Sequence, residues 1–492
     1  MAYVHGVQIS ESPTSLPPPV QSTAGIPFII GTAPVNMADV ENVNKPKLCH
    51  SYSEAVKEFG YAAPVADSAS GLKKHEFTIS EFIKSHFSFF QSAPVVIVNV
   101  LDPKSMTKAA TTTKVVFDSQ TGLAKVEETG ILLSSVTLND SDTAGEKFSA
   151  SFDDDGNLVL GVNKNAEGGD YYERGTEIAF TANRLDTAKV DAEKIIGGVS
   201  ATGVKTGLEL IEEVFPRFRV VPGVILAPYY SATPSVASAM AAKAANINGA
   251  FQAGVALVDA PTSGEQAVYS GVPSWKQKNN IVNEAQVVCY PRLNNDGVLY
   301  AMSTQIAGVI ARTDGENEDV PYVSPSNKNF TATGTVLDDG TEVYLDQSTA
   351  AYLNGNGIVT GLNFIGGWKC WGNRTACYPN TTDVKDSFIP LRRMFVWIAN
   401  TLVQNYWTNL DSPLNRRQID TILDSANMWL NGLAAKQYIL GGRVEFLDEE
   451  NPTQNLMDGK TKFHVYITPP SPNVEIDFVL EYDPEYLSTL FG

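Results

Sequence analysis

The sequence predicts a multidomain α/β protein: a Rossmann-like α/β core, an inserted β-rich domain and a C-terminal α+β domain. Three observations predict it. Buried-type strands alternate with helical segments from Gly25 to Leu101 and again from Gly207 to Asp259, which is the grammar of a layered α/β sheet. Between those blocks, residues 104–200 turn rich in Thr, Asp, Gly, Ala and Lys with hairpin signals, as an insertion would. From Asp386 onward the apolar residues recur at helical spacing instead. A chain of 492 residues has room for about three domains.

Taken in order, Tyr3 to Ser10 alternate loosely as a short strand with Val4, Val7 and Ile9 as its apolar positions, and Pro13 and Pro17-Pro18-Pro19 then stiffen the chain. Residues 1–20 therefore read as an arm. Gly25 to Gly31 and Pro94 to Leu101 are buried strands, with helices near Ser53–Phe59 and Ser80–Phe90 between them. The core covers residues 21–103 and 201–385, resuming after the insert with a helix at Gly207–Phe215, a strand at Val220–Ala227, a helix at Ser235–Ala245 and a strand at Ala253–Asp259. A small-residue helix ends near Ile310, and Trp368 to Trp371 follow a turn-rich stretch. In residues 386–473, Leu391, Met394, Phe395, Ile398, Leu402 and Tyr406 form one helix face. Ser412-Pro413 is expected to cap a second helix, stopped at Gly441-Gly442. A strand at Lys462–Thr468 closes that unit. After the stiff Pro469-Pro470-Ser471-Pro472, residues 474–492 carry an amphipathic strand in which Val474, Ile476, Phe478, Leu480 and Tyr482 share one face.

Composition narrows the function. A hydrophobic share of 43% with 18% charged residues is globular, and the formal charge of −19 repels phosphate backbones and anionic headgroups. Nucleic acid is therefore not the expected partner. The longest apolar run, Ala93 to Leu101, is interrupted by Asn99 and falls short of the roughly 20 residues a spanning helix needs, so no membrane insertion is expected. Met1 to Gln21 lacks the charged and apolar regions of a secretory signal. The four Cys are read as thiols in a reducing compartment.

Sites for chemistry are sought and not found. Gly198 to Thr206 approaches a phosphate loop, but Val204 separates Gly203 from Lys205, and the Lys must follow that Gly directly to reach the phosphates. Asp153-Asp154-Asp155-Gly156 resembles a calcium loop with Ser151 and Val162 where ligands belong; a hairpin turn is the better reading. The five His are scattered as surface or partly packed residues, and Cys370 and Cys377 lack a second pair for a metal tetrahedron. No cofactor, no metal and no catalysis are expected. Two strands tethered by Pro at the chain's ends remain. Each completes its own sheet or adds to a neighbour's, where backbone hydrogen bonds supply affinity.

Several motifs are ordered along the chain: Val258-Asp-Ala-Pro261, Ala311-Arg-Thr-Asp314, Ser324-Pro-Ser-Asn327, Tyr352-Leu-Asn-Gly-Asn-Gly-Ile358, Phe364-Ile-Gly-Gly-Trp368, Trp371-Gly-Asn-Arg-Thr375, Phe388-Ile-Pro-Leu-Arg-Arg-Met394 and Asn427-Met-Trp-Leu-Asn431. In that order they resemble the contractile phage tail sheath proteins, over residues 25–102 and 205–492. The resemblance implies a virion structural subunit that polymerises helically in six-subunit rings around an inner tail tube protein. It implies attachment to baseplate and tail terminator proteins, assembly in the host bacterial cytoplasm, and contraction that drives the tube through a cell envelope. It also implies that terminal arms complete the C-terminal sheet of neighbouring subunits. The arms would be Tyr3–Ser10 and Val474–Tyr482, received by strands carrying Val444, Phe446, Phe463, Val465 and Ile467, with the helix from Pro413 to Leu433 facing the tube. A bacteriocin or other contractile injection system is the nearer alternative, and an acidic surface-array protein the more distant one.

Overall fold

A computed structural model describes residues 21–491; the expected strand at Val4, Val7 and Ile9 lies outside them. The core is built on one mixed sheet. Its strands are β1 (Pro27–Gly31), β2 (Lys47–Cys49), β3 (Val95–Asn99), β4 (Val224–Leu226), β5 (Val255–Asp259), β6 (Gln286–Cys289), β7 (Ile358–Asn363) and β8 (Trp368–Trp371). They lie in the order β2-β3-β1-β4-β5-β6-β7-β8, with the two-residue strand Lys328–Asn329 at the far edge. The run from β3 to β7 is parallel, and β2, β8 and Lys328–Asn329 are antiparallel margins.

Helices cover both faces, so the central strands are buried on both sides and read as continuous apolar runs. Along β1 the pleat sends Ile29 to one face and Phe28 and Ile30 to the other. Ile29 packs with Phe59 of helix α1 (Tyr52–Phe59), Phe82 of α2 (Thr78–Ile83) and Ile306 of the long α4 (Met302–Gly315). Phe28 and Ile30 pack with Val236 and Met240 of α3 (Pro234–Ala245). α2 runs on into a wider π-turn, Lys84–Phe89.

Residues 104–200 form short antiparallel strands around a cluster of their own, which includes Phe117, Val126, Phe148, Leu160 and Phe180. The Asp153–Gly156 segment is the expected hairpin turn, joining Phe148–Phe152 to Leu158–Val162. This part is fastened to the core: Ala63 N donates to Asp155 O at 2.8 Å, and Glu76 receives the Arg184 guanidinium and the Thr129 hydroxyl. The near-miss phosphate loop is a small hairpin in which Lys205 pairs with Glu212 at 2.6 Å.

Helices α5 (Ile389–Tyr406) and α6 (Arg416–Ala435) and strands β9 (Gly441–Glu445) and β10 (His464–Thr468) complete the chain. The buried Arg393 of α5 ties them to the core. It holds Asp314 of α4 through both guanidinium nitrogens, one at 3.1 Å, and donates to Ala24 O just before β1.

Three local expectations are corrected. α6 is capped by Asn415, whose side chain accepts from Gln418 N at 2.9 Å, and not by Ser412-Pro413. It ends at Ala435, where Gln437 takes a left-handed turn with φ 64°, so Gly441-Gly442 open β9 rather than stop the helix. A Cβ at Gly442 would press on Ile439 and Ile467 at 3.2 Å. His75 and His86 are buried, not superficial; burial between Phe82 and Phe87 lowers His86 to about 3.

Candidate assembly interface

The receiving residues named from the sequence meet at the C-terminal hairpin. β9 and β10 pair antiparallel, with Val444 opposite Val465 and Gly442 opposite Ile467. Helix α6 backs them because its apolar stripe, Leu423, Ala426, Leu430 and Leu433, faces the hairpin and α5. Val444, Phe463, Val465 and Ile467 pack into that cluster, where Trp397 and Trp429 lie 5.8 Å apart. Phe446 packs on Phe463 at 5.3 Å. All five predicted receiving residues are therefore brought together, Phe446 and Phe463 flanking the strands rather than lying in them.

Sequence reasoning missed the residue that sets the hairpin's edges. Asn427 of α6 accepts from Val444 N at 2.8 Å and donates to Val444 O at 3.1 Å. Both main-chain groups of Val444 thus point away from β10, which makes Val444–Val465 a pair without ladder hydrogen bonds between them. By the same alternation the peptide groups of Val465 and Ile467 point to the far side of β10, where no other strand pairs among the described residues. One edge is closed by a side-chain amide and the other is open. The signal was a single amide on the apolar stripe of an amphipathic helix.

The hairpin's outer face is polar, with Arg443 paired to Glu445 at 2.7 Å. Arg443 lies over the Tyr466 ring at 3.9 Å, and Tyr466 stacks on His464 at 4.2 Å. Hydrogen bonds from His464 and Lys462 hold the Glu450 carboxyl below its ordinary range.

The predicted tail strand forms no ladder in this chain. Residues 469–483 follow an irregular path, because a lone strand with nothing beside it gains no backbone hydrogen bonds. Pro470 to Val474 run along a groove with Tyr322, Trp371 and Arg374; beyond it Val474, Ile476, Phe478, Leu480 and Tyr482 are exposed, Phe478 at 81% and Leu480 at 94%.

An open sheet edge and an unpaired amphipathic tail on one acidic chain can be compared with known proteins. The chain aligns over its whole length with the tail sheath protein of Burkholderia phage BcepMu, 28% identical and covering 99% of that protein. This chain is a tail sheath homologue. The major tail sheath protein of Serratia phage KSP20 is 24% identical over 63% of this chain and 76% of its own length. No family model matches. Among solved structures, the sheath complex of an extracellular contractile injection system (PVC) in its contracted state gives a TM-score of 0.57 at 13% identity, covering 99% of both chains. A chain of the anti-feeding prophage baseplate gives 0.56 at 14%, covering 98% of this chain and 100% of its own. At such identities the likeness is one of fold.

All four Cys are buried thiols, and no cluster of His, Cys, Asp and Glu suited to a metal occurs among the described residues. No helix among them is long and apolar enough to cross a membrane.

Proposed function

We propose that the chain is the structural subunit of a contractile tail sheath, virion-borne or in a phage-like particle, and that its polymer is held together by strand exchange. The observation that carries this is the pairing of an open β10 edge with a tail whose apolar face has no cover in its own chain. Laid along β10 of a neighbour, Val474 to Tyr482 would turn Ile476, Phe478 and Leu480 toward the α5–α6 cluster. Glu475, Asp477 and Glu481 would then face the side of Arg443 and His464. The N-terminal arm would pair in the same sheet. We read the core as Rossmann-like, residues 104–200 as an outward domain, and the helix Arg416–Ala435 as the face toward an inner tube. Rings of six subunits, attachment to baseplate and terminator proteins, and assembly in the host cytoplasm belong to the same reading. Contraction would draw on repacking between two subunit arrangements rather than on hydrolysis.

The test removes the exchange and leaves the fold. Deleting Val474–Gly492 should give folded monomers by circular dichroism and no hollow tubes in electron micrographs, while the full chain forms tubes. Ile467→Pro should act likewise, because the lost N–H is the outward one and the hairpin ladder is kept. Tubes formed equally well by both variants would end the strand-exchange reading.

A further inference from the structure

A second surface has the form of a docking element. β7 and β8 are joined by the loop Phe364–Gly367, with Asn363 opposite Trp368 as the last ladder pair. Gly366 and Gly367 hold φ at 78° and 89°, a conformation side chains resist. The turn therefore confines the bulky residues to its other two positions. Phe364 and Ile365 are 66% and 78% exposed. Single exposed apolar residues are ordinary, but two adjacent ones on a pinned hairpin tip form a knob. Leu362 and Cys370 anchor its base in the interior. The charge around the knob is also distinctive. No Asp or Glu occurs from Ile358 to Trp371, and Lys369 flanks the tip, donating to Asn329 opposite it on the neighbouring strand. On a chain of net charge −19 this is a cationic spot on an acidic body.

A groove of matching character lies at the other end of the same sheet. It has a volume of about 630 Å³ and is walled by Phe89, Phe90, Pro94 and Val220, with Thr23 and Gln91 among its polar lining; Glu316 is paired with Arg312 at 3.0 Å, which leaves Asp319 as the acidic group without an ion pair among the described residues. Gly25, Ile26 and Pro94 place it where β1 and β3 begin. The knob follows the end of β7, which runs parallel to β1 and is four strands away. At about 4.8 Å per strand the offset is about 19 Å sideways, with the length of the strands added lengthwise. A chain's knob cannot enter its own groove.

We propose that the Phe364-Ile365 knob of one copy seats in the Phe89–Asp319 groove of a second copy, as a head-to-tail contact along the strand direction. Phe364 and Ile365 meet Phe89, Pro94 and Val220, and Lys369 meets Asp319. Knob and groove are different patches, so the contact propagates or closes a ring rather than stopping at a dimer. It rests on the sheath reading only for the choice of a second copy as partner.

The full chain carrying a benzophenone amino acid at position 365 tests this. Irradiation at high concentration should give covalent dimers and higher ladders on a denaturing gel, with adducts mapping to residues 89–94 or 311–319. Monomer bands alone, or adducts confined to another surface such as residues 441–468, would overturn it. The double variant Phe364→Ser and Ile365→Ser, exposed and so tolerated by the fold, should assemble at least tenfold less at equal concentration by light scattering; unchanged assembly also overturns the contact. Ladders without tubes in micrographs would count against the sheath reading alone, and tubes with adducts elsewhere against the knob alone.

Discussion

Replacing Arg393 with methionine would keep most of the side chain's volume and remove its charge. Arg393 and Asp314 are 2% and 1% exposed, and the Asp314 carboxylate accepts from two guanidinium nitrogens of Arg393. Breaking a buried pair from one side leaves an uncompensated charge and costs ~3–5 kcal/mol. That corresponds to about two to three and a half decades in the unfolding equilibrium, and Ala24 O loses its donor besides. The double variant Asp314→Leu and Arg393→Met leaves no charge behind and should recover most of the loss. Urea midpoints, compared at equal slope, give both quantities. The pH dependence has a definite sign. Burial already raises Asp314 against the opposing pull of Arg393. In Arg393→Met that pull is gone, so the folded chain keeps a proton that the unfolded chain releases. Stability should then fall as pH rises above about 4, the unfolded carboxyl's own range. A single variant costing under about 1 kcal/mol, or a double variant as unstable as the single, would refute the argument.

Two further outcomes follow from buried polar groups. Glu81 is pushed up to about 7 by burial, against hydrogen bonds from Tyr229, Ala301 and Thr304. Stability should therefore decline between its ordinary 4.5 and about 7, and Glu81→Gln should flatten that slope in urea midpoints taken across the interval. Asn427→Ala should cost ~1–3 kcal/mol by stranding the Val444 peptide groups; faster hydrogen exchange confined to the β9–β10 hairpin would show it.

What could be read in the sequence follows from which forces are local. The strands of the core sheet were legible because burial on both faces writes an unbroken apolar run, as in Pro27–Gly31 and Val95–Asn99. α5 was legible from its periodic stripe. The start of α6 was not, since Ser412 and Asn415 both carry side-chain oxygens able to cap a helix, and the hydrogen bond to Gln418 N decides between them. The Arg393–Asp314 clamp joins residues 79 apart, and no pattern in a single sequence couples them. The receiving hairpin was anticipated from the family resemblance, but which of its edges stays open depends on Asn427, a neighbour in space rather than in the chain. The tail is the inverse case. Its alternation was plain, yet a strand is a property of two segments, and one chain supplies only the first.

The one-sided closure by Asn427 imposes an order of arrival. Because that amide occupies the β9 side, the hairpin can lengthen only outward from β10, like a zip with a single free end. If both terminal arms join this sheet, the first to bind becomes the template for the second, and the second has nothing to grip until the first is in place. On the strand-exchange proposal, two contacts that a static lattice would show as equivalent would be sequential, and the edge that Asn427 leaves free would work as a queue, admitting neighbours one at a time.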